Sequence, residues 1–181
     1  MAKAKPTIDI CPFRIVVDSN EGGPFPFIGI KSRDHKDRDL IIECVRKPLW
    51  CHEPREVEIK GAQHKVGWGD YSIEGYESKL AIERKSIADL FGTLSSRRDR
   101  FEAEIKRLHE DCEFAAVIVE GDWSQILTWR GNGPDPKSVH GTITAWQQRY
   151  RGTHWILCPS RAFAEKQCFR VMERFWLDRN E

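Results

Sequence analysis

Apolar and polar positions follow two different rhythms along this chain, and the change falls near Lys85. Upstream of it, apolar stretches are short and rich in β-branched residues. Arg14 to Asp18 reads Arg-Ile-Val-Val-Asp and is followed by the turn signals Gly22-Gly23-Pro24, a pattern that predicts a buried strand with Asp18 at its carboxyl end. Similar runs predict strands over Leu40 to Val45, Val57 to Lys60, Tyr71 to Glu74, Lys79 to Lys85 and Phe114 to Glu120. Downstream, Phe101, Ile105 and Leu108 recur at spacings of four and three, which predicts an amphipathic helix from about Ser95 to Asp111. Further helices are predicted over Gln125 to Trp129, Ser138 to Tyr150 and Arg161 to Leu177, and a strand over His154 to Cys158. The last helix carries Phe169, Met172 and Trp176 on one stripe. Strands alternating with helices imply an α/β domain with a central mixed sheet.

Composition narrows the class without pointing to a function. With 181 residues, 40% hydrophobic and 31% charged, the chain has the size of one domain and is neither disordered nor collagen-like. The expected organisation is an N-terminal tail over residues 1–12 and a single domain over 13–181. The longest polar stretch, Lys31 to Asp39, reads as a solvated loop. No apolar run approaches the roughly 18 residues of a membrane span. The opening Met-Ala-Lys-Ala-Lys-Pro lacks the apolar centre of a secretory signal, so an intracellular setting, cytoplasm or nucleoid, is expected. Six cysteines form no C-x-x-C pair and read as reduced, mostly buried thiols. The formal net charge is +1, so any affinity for nucleic acid must come from where charges are placed.

The strongest chemical signal is Gly69-Asp70 followed, after twelve residues, by Glu83-Arg84-Lys85-x-x-x-Asp89. At roughly 6% usage per charged residue type, such an E-R-K-x-x-x-D run arises by chance in a chain of this length with a probability on the order of 2 × 10⁻³. On a strand, Ala81, Glu83 and Lys85 share one face while Leu80, Ile82 and Arg84 share the other. Asp70, at the start of the hairpin whose second strand carries them, lies within reach of Glu83 and Lys85. Two carboxylates offer hard oxygen ligands to Mg²⁺, and a lysine beside them steadies an attacking hydroxide or a phosphorane transition state. The alternative at this point is a solvent-facing hairpin with ordinary alternating charge.

These residues, with Val17-Asp18-Ser19-Asn20-Glu21 upstream, resemble the XPF-type structure-specific endonuclease family, a branch of the restriction-endonuclease-like PD-(D/E)XK fold. The likeness continues through Ser86-Ile87-Ala88-Asp89-Leu90-Phe91-Gly92, Arg100-Phe101-Glu102-x-Glu104-Ile105 and Val117-Ile118-Val119-Glu120-Gly121, and covers about residues 13 to 178. The resemblance implies a central mixed β-sheet flanked by helices and a Mg²⁺- or Mn²⁺-dependent endonuclease that cuts one strand near a junction in branched DNA. It also implies Asp18, Glu21, Asp70 and Glu83 as metal-binding acids, Lys85 as the residue assisting the nucleophile and scissile phosphate, Arg84 as a support for phosphate or site geometry, and Asp89 as the end of the motif. One position departs from the family: Asn20 stands where arginine is usual, a hydrogen-bonding group without the charge.

Other readings stay open at several positions. Ser86-x-x-Asp89 is also a helix-capping pattern. Arg97, Arg98 and Arg100 are candidate DNA contacts, or a solvated basic turn. The seven tryptophans favour core packing over base stacking, and His64 and His140 have no evident chemical partner. Cellular relatives pair through their nuclease domains, so a homodimer is expected if the Phe169, Met172, Trp176 stripe is open to a second copy; the alternative is that it packs on its own sheet. Tandem helix-hairpin-helix units, which many relatives carry after the nuclease domain, are not expected. A catalytically silent DNA-binding or scaffold subunit and a sequence-specific restriction endonuclease are the rival functions.

Overall fold

The computed structural model describes residues 8–49, 56–59, 62–65 and 69–180. Its centre is a six-stranded mixed sheet made of β2 (Ile15–Val17), β4 (Cys44–Arg46), β7 (Tyr71–Ile73), β8 (Leu80–Ser86), β9 (Phe114–Glu120) and β10 (Thr153–Leu157). Their order across the sheet is β10-β9-β8-β7-β2-β4. The neighbours β8, β9 and β10 run parallel, β7 is antiparallel to both β8 and β2, and β4 runs parallel to β2. Two small two-stranded sheets stand apart: β1 (Asp9–Ile10) with β3 (Leu40–Ile41), and β5 (Glu56–Ile59) with β6 (Ala62–Lys65). Asp9–Ile10, inside the segment expected as a tail, is thus paired to the folded domain.

Helices cover both faces, as a sheet with parallel central strands requires. On one face α5 (Arg161–Asn180) places Cys168, Phe169, Met172 and Phe175 against Ile15, Val17, Leu80, Ile82 and Ile118. On the other, α1 (Ile87–Ser96), α2 (Arg98–Asp111) and α4 (Pro136–Arg149) cover Val117 and Val119 with Leu90, Phe91, Phe101, Ile105, Ile143 and Trp146. A short α3 (Trp123–Leu127) opens on a capping box made by Asp122 and Gln125. Strand β9 sits between the two layers, which explains its nearly unbroken apolar sequence: Ile118 faces α5, and Val117 and Val119 face α1 and α2.

Three expectations need correction. The helix expected from Ser95 begins instead at Arg98, because Arg97 leaves helical geometry (φ −125°, ψ 23°), and a separate helix, α1, which the sequence reading does not include, ends just before it at Ser96. The run from Leu40 to Val45 is two short strands, since Leu40–Ile41 pairs with β1 and Cys44–Arg46 with β2. The stripe on α5 is not an open face: Phe169 and Met172 are fully buried in the chain's own core, and Trp176 packs on Phe13. Phe169 and Met172 therefore offer no apolar surface to a second copy, while Trp176 is only partly buried. Trp50 and Trp68 lie outside the described residues, as does the side chain of His64. Among the described tryptophans, Trp146 is buried and Trp123, Trp129 and Trp155 pack against its cluster, so core packing accounts for them. Of the described cysteines Cys11, Cys158 and Cys168 are buried free thiols, whereas Cys44 is exposed. No helix among the described residues is long and apolar enough to cross a membrane.

Candidate active site

The site forms where β7 and β8 open beside the end of β2. Gly69 sits at φ +93°, and a Cβ there would lie 2.9 Å from the Ile82 carbonyl oxygen. Only glycine permits that approach. It brings Asp70 flat against β8, where its amide donates to Ile82 O at 2.8 Å and its carboxylate accepts from the Arg84 amide at 2.7 Å. On the other side the Asp18 amide donates to Asp70 O at 2.8 Å. Asp18 and Asp70 are thereby fixed by backbone bonds on adjacent strands.

Strand alternation sorts the Glu-Arg-Lys run as the period of two requires. Glu83 and Lys85 point toward α1 and α2, where Lys85 Nζ donates to Glu83 Oε1 at 2.6 Å, lies 3.2 Å from Asp89 Oδ2 and stands 4.8 Å from the Phe101 ring centre. Glu83 is buried, with only 5% of its surface exposed. Arg84 points to the opposite face, where Nε donates to Glu120 Oε1 at 2.6 Å and Nη1 to Glu21 Oε1 at 2.8 Å. Arg161, the first residue of α5, donates to the same Glu120 oxygen at 2.8 Å and to the carbonyls of Gly23 and Pro24. Both guanidinium groups lie over the Phe25 ring, at 5.3 and 5.1 Å.

Electrostatics mark the first of these two faces as an acidic pocket. Burial, and then the neighbouring Glu83 carboxylate, push the Asp70 carboxyl well above its usual range. Burial and Glu83 do the same to Glu104 of α2, which hydrogen-bonds Glu83. Burial alone would lower the Lys85 pKa, but Glu83, Glu104 and Asp89 together raise it above its ordinary value. Carboxyls that resist ionisation beside a firmly charged lysine are a site poised to accept further positive charge.

The structure does not gather all four expected metal ligands. Asp18 spends its oxygens on the amides of Leu49 and Asn20, at 3.0 and 3.2 Å. Glu21 is held by Arg84 and by the Gly23 amide. Among the described residues no cluster of three or more histidine, cysteine, aspartate or glutamate side chains stands in metal-binding geometry. Asp70 and Glu83 are the two acids that the fold brings together facing Lys85.

The remaining candidates divide. Asp89 fills both readings of its motif: its amide is capped by Ser86 Oγ at 3.1 Å, and its carboxylate reaches Lys85 and, at 3.5 Å, Arg97. Asn20 is exposed beside Asp18. Nearby, Arg46 donates to the Glu21 carbonyl oxygen at 2.5 Å and places a guanidinium beside that loop. Arg97 and Arg100 flank the Lys85 side of the site. Arg98 does not belong with them: it donates to Thr142 at 2.7 Å and lies over Trp146 at 5.3 Å, tying α2 to α4. His140 packs edge-on against Trp123.

Residues that sequence reasoning left without a role are Glu104, Glu120, Arg161 and Arg46. Glu104 left a signal, being an acid three positions after Phe101 and next to Ile105 on the inward stripe of α2. Glu120 ends β9 in register with Ser86 of β8, where the carboxyl ends of parallel strands meet. Arg46 and Arg161 left none, because their partners are set by strand order and helix docking.

Comparison with known proteins gives a consistent result. The chain matches the ERCC4 domain over residues 17–167. Its fold is similar to that of XPF from Aeropyrum pernix (TM-score 0.56, 20% identity), covering 93% of this chain and 62% of that one. It is also similar to XPF from Aeropyrum pernix in complex with DNA (TM-score 0.55, 20% identity), over 92% of this chain and 66% of that one. The chain thus spans less than two thirds of the length of these structures. No curated protein sequence matches it significantly. With residues 17–167 matched, the chain belongs to the ERCC4-domain family, and its mixed sheet flanked by helices shares the restriction-endonuclease-like fold of the XPF nuclease domain.

Proposed function

We propose that this chain is a divalent-metal-dependent endonuclease that hydrolyses DNA phosphodiester bonds at flaps, forks or other branched sites, with residues 13–181 acting as one nuclease domain. The observation that carries the proposal is the convergence of Asp70, Glu83 and Lys85 on one face of the β7–β8 hairpin. Mg²⁺ is commonly held by one or two carboxylates together with water and substrate phosphate, without an all-protein cage. Two adjacent acids fit that demand: burial and the neighbouring Glu83 carboxylate suppress ionisation of Asp70, and a cation would relieve both penalties. Asp70 and Glu83 would hold the metal, with Asp18 close behind through its bond to the Asp70 backbone. Bound there, the ion would polarise a phosphoryl oxygen and lower the pKa of a water.

The chain's own residues do the rest. Lys85, largely enclosed and kept charged by Glu83 and Asp89, stabilises negative charge as it grows on the attacked phosphate. Phe101 backs the ammonium so that it cannot swing away from the acids. Arg84 works from the opposite face, where its bonds to Glu21 and Glu120 lock the loop after β2 and the end of β9 around the site. Asn20, Arg97 and Arg100 contact the DNA backbone and position it without reading its sequence.

The test is a set of labelled substrates, comprising linear duplex, single strand, 3′-flap, 5′-flap, fork and four-way junction, each incubated with protein and Mg²⁺, Mn²⁺ or chelator. The proposal expects metal-dependent cutting of branched substrates. DNA binding without cleavage in any metal would favour a silent scaffold subunit. Cutting at one fixed sequence in uninterrupted duplex would favour a restriction enzyme.

A further inference from the structure

Where α1 turns into α2, the two helices leave a notch of about 140 Å³ lined by Lys85, Thr93, Arg97, Arg100, Phe101 and Glu104. At about 30 Å³ per water it holds roughly four to five waters, room for one tetrahedral anion with part of its shell. Three of the six lining side chains are cationic. Lys85 reaches it from the acid site itself, bridging the two. Glu104 closes the inner end, where it interacts with Glu83, Lys85 and Arg100. The buried Phe101 forms the floor. Arg97 stands at the mouth with 59% of its side chain exposed, and its contact with Asp89 is long, at 3.5 Å. A guanidinium held that loosely can turn toward a ligand at little cost, whereas Arg98, one residue on, is committed to Thr142 and Trp146.

We infer that this notch is a second phosphate subsite, which takes the phosphodiester neighbouring the scissile one on the same DNA strand, with Arg97 and Arg100 as its ligands and Lys85 shared between the two positions. The inference rests on the proposed nuclease reading. It adds that a strand must extend over the α1–α2 turn to be held correctly, so the subsite selects continuous backbone over a terminal phosphate. A doubly anionic free phosphate shares the chemistry, so the experiment separates the two sources.

The test measures binding, in chelator and without cleavage, of flap DNAs in which one linkage at a time near the junction is replaced by an uncharged methylphosphonate. In the unsubstituted protein, one linkage adjacent to the cleavage position should weaken binding about tenfold when neutralised. In Arg97→Ala/Arg100→Ala that same replacement should cost less than about twofold, while other linkages keep their original effects. Arg97→Ala alone, at an exposed side chain, should give part of the loss and serves where the double variant folds poorly. Arg151→Ala, a control at an exposed arginine that donates to the Gln148 carbonyl and does not line the notch, should leave the linkage profile unchanged. DNA binding in which no linkage loses its effect in the Arg97→Ala or double variant overturns the subsite but leaves the nuclease reading intact. Absence of DNA binding by the unsubstituted protein overturns both. Titration with inorganic phosphate at constant ionic strength gives the second arm: tight phosphate binding that requires Arg97, without coupling to any linkage, assigns the notch to a free anion and overturns the DNA subsite.

Discussion

Glu120→Gln tests whether the charge network behind the site holds it together. Glu120 is 9% exposed and accepts from Arg84 at 2.6 Å and from Arg161 at 2.8 Å; the Arg84 side chain is 15% exposed. With Glu21, the network balances two cations against two carboxylates. Removing one partner of a buried ion pair costs about 3–5 kcal/mol, because the other charge is left without compensation. Two features reduce that figure here. Arg84 keeps Glu21 at 2.8 Å, and Arg161, 44% exposed, keeps its two loop carbonyls and contact with water. The expected loss is therefore about 2 kcal/mol. At roughly 2–4 °C per kcal/mol for a domain of this length, the midpoint of thermal unfolding should fall by about 4–8 °C. Calorimetry of Glu120→Gln, Arg161→Gln and the double variant completes the cycle, and the double variant should lose about 1 kcal/mol less than the sum of the singles. A midpoint for Glu120→Gln within about 1 °C of the parent, or strictly additive losses, would refute the claim that Glu120 couples Arg84 to Arg161.

Asp70→Asn and Glu83→Gln should each slow metal-dependent cleavage by at least about a hundredfold, with DNA binding retained in a filter assay; near-normal rates would remove the proposed metal site. Lys85→Ala should lower the single-turnover rate far more than DNA affinity, since the charge acts where negative charge accumulates, and equal losses in both would make Lys85 a simple phosphate contact. Because the Asp70 carboxyl is held above its usual range, the folded protein keeps this proton while the unfolded chain loses it as pH climbs through the ordinary carboxylate range. Stability drawn from Asp70 is thus full at low pH and declines until the folded-state pKa is passed. Metal-free Asp70→Asn should accordingly melt above the parent at neutral pH, with the gap closing toward about pH 4. Added Mg²⁺ should raise the melting midpoint of the parent and not of Asp70→Asn, and at about one hundred times Kd the gain would be near 2.7 kcal/mol.

The sequence by itself determined the central layer and the chemistry of one face. Continuous apolar runs bounded by turn residues placed β2, β7, β8, β9 and β10 within a residue or two, because burial on both faces leaves a strand little freedom of composition. The period of two put Glu83 and Lys85 on one face and Arg84 on the other, and Gly69-Asp70 fell opposite them because the hairpin register demands it. Local patterns were weaker where the backbone turned inside a helical segment. The break at Arg97 left no proline or glycine as a marker, so the start of α2 was placed at Ser95, and α1 was missed despite apolar Ile87, Leu90, Phe91 and Leu94. Only the tertiary structure decided which acids converge. Glu21 was expected beside Asp70 and Glu83 but is taken by Arg84, and the position is set by Glu120 from β9 and Arg161 from α5, residues distant in sequence from both. The same holds for Glu104, which reaches Glu83 because α2 packs across β8 and β9. A side chain's face follows from the local backbone and is legible in the sequence. Its partners depend on which strands neighbour one another and which helix lies above them, and that is fixed by packing of the whole chain.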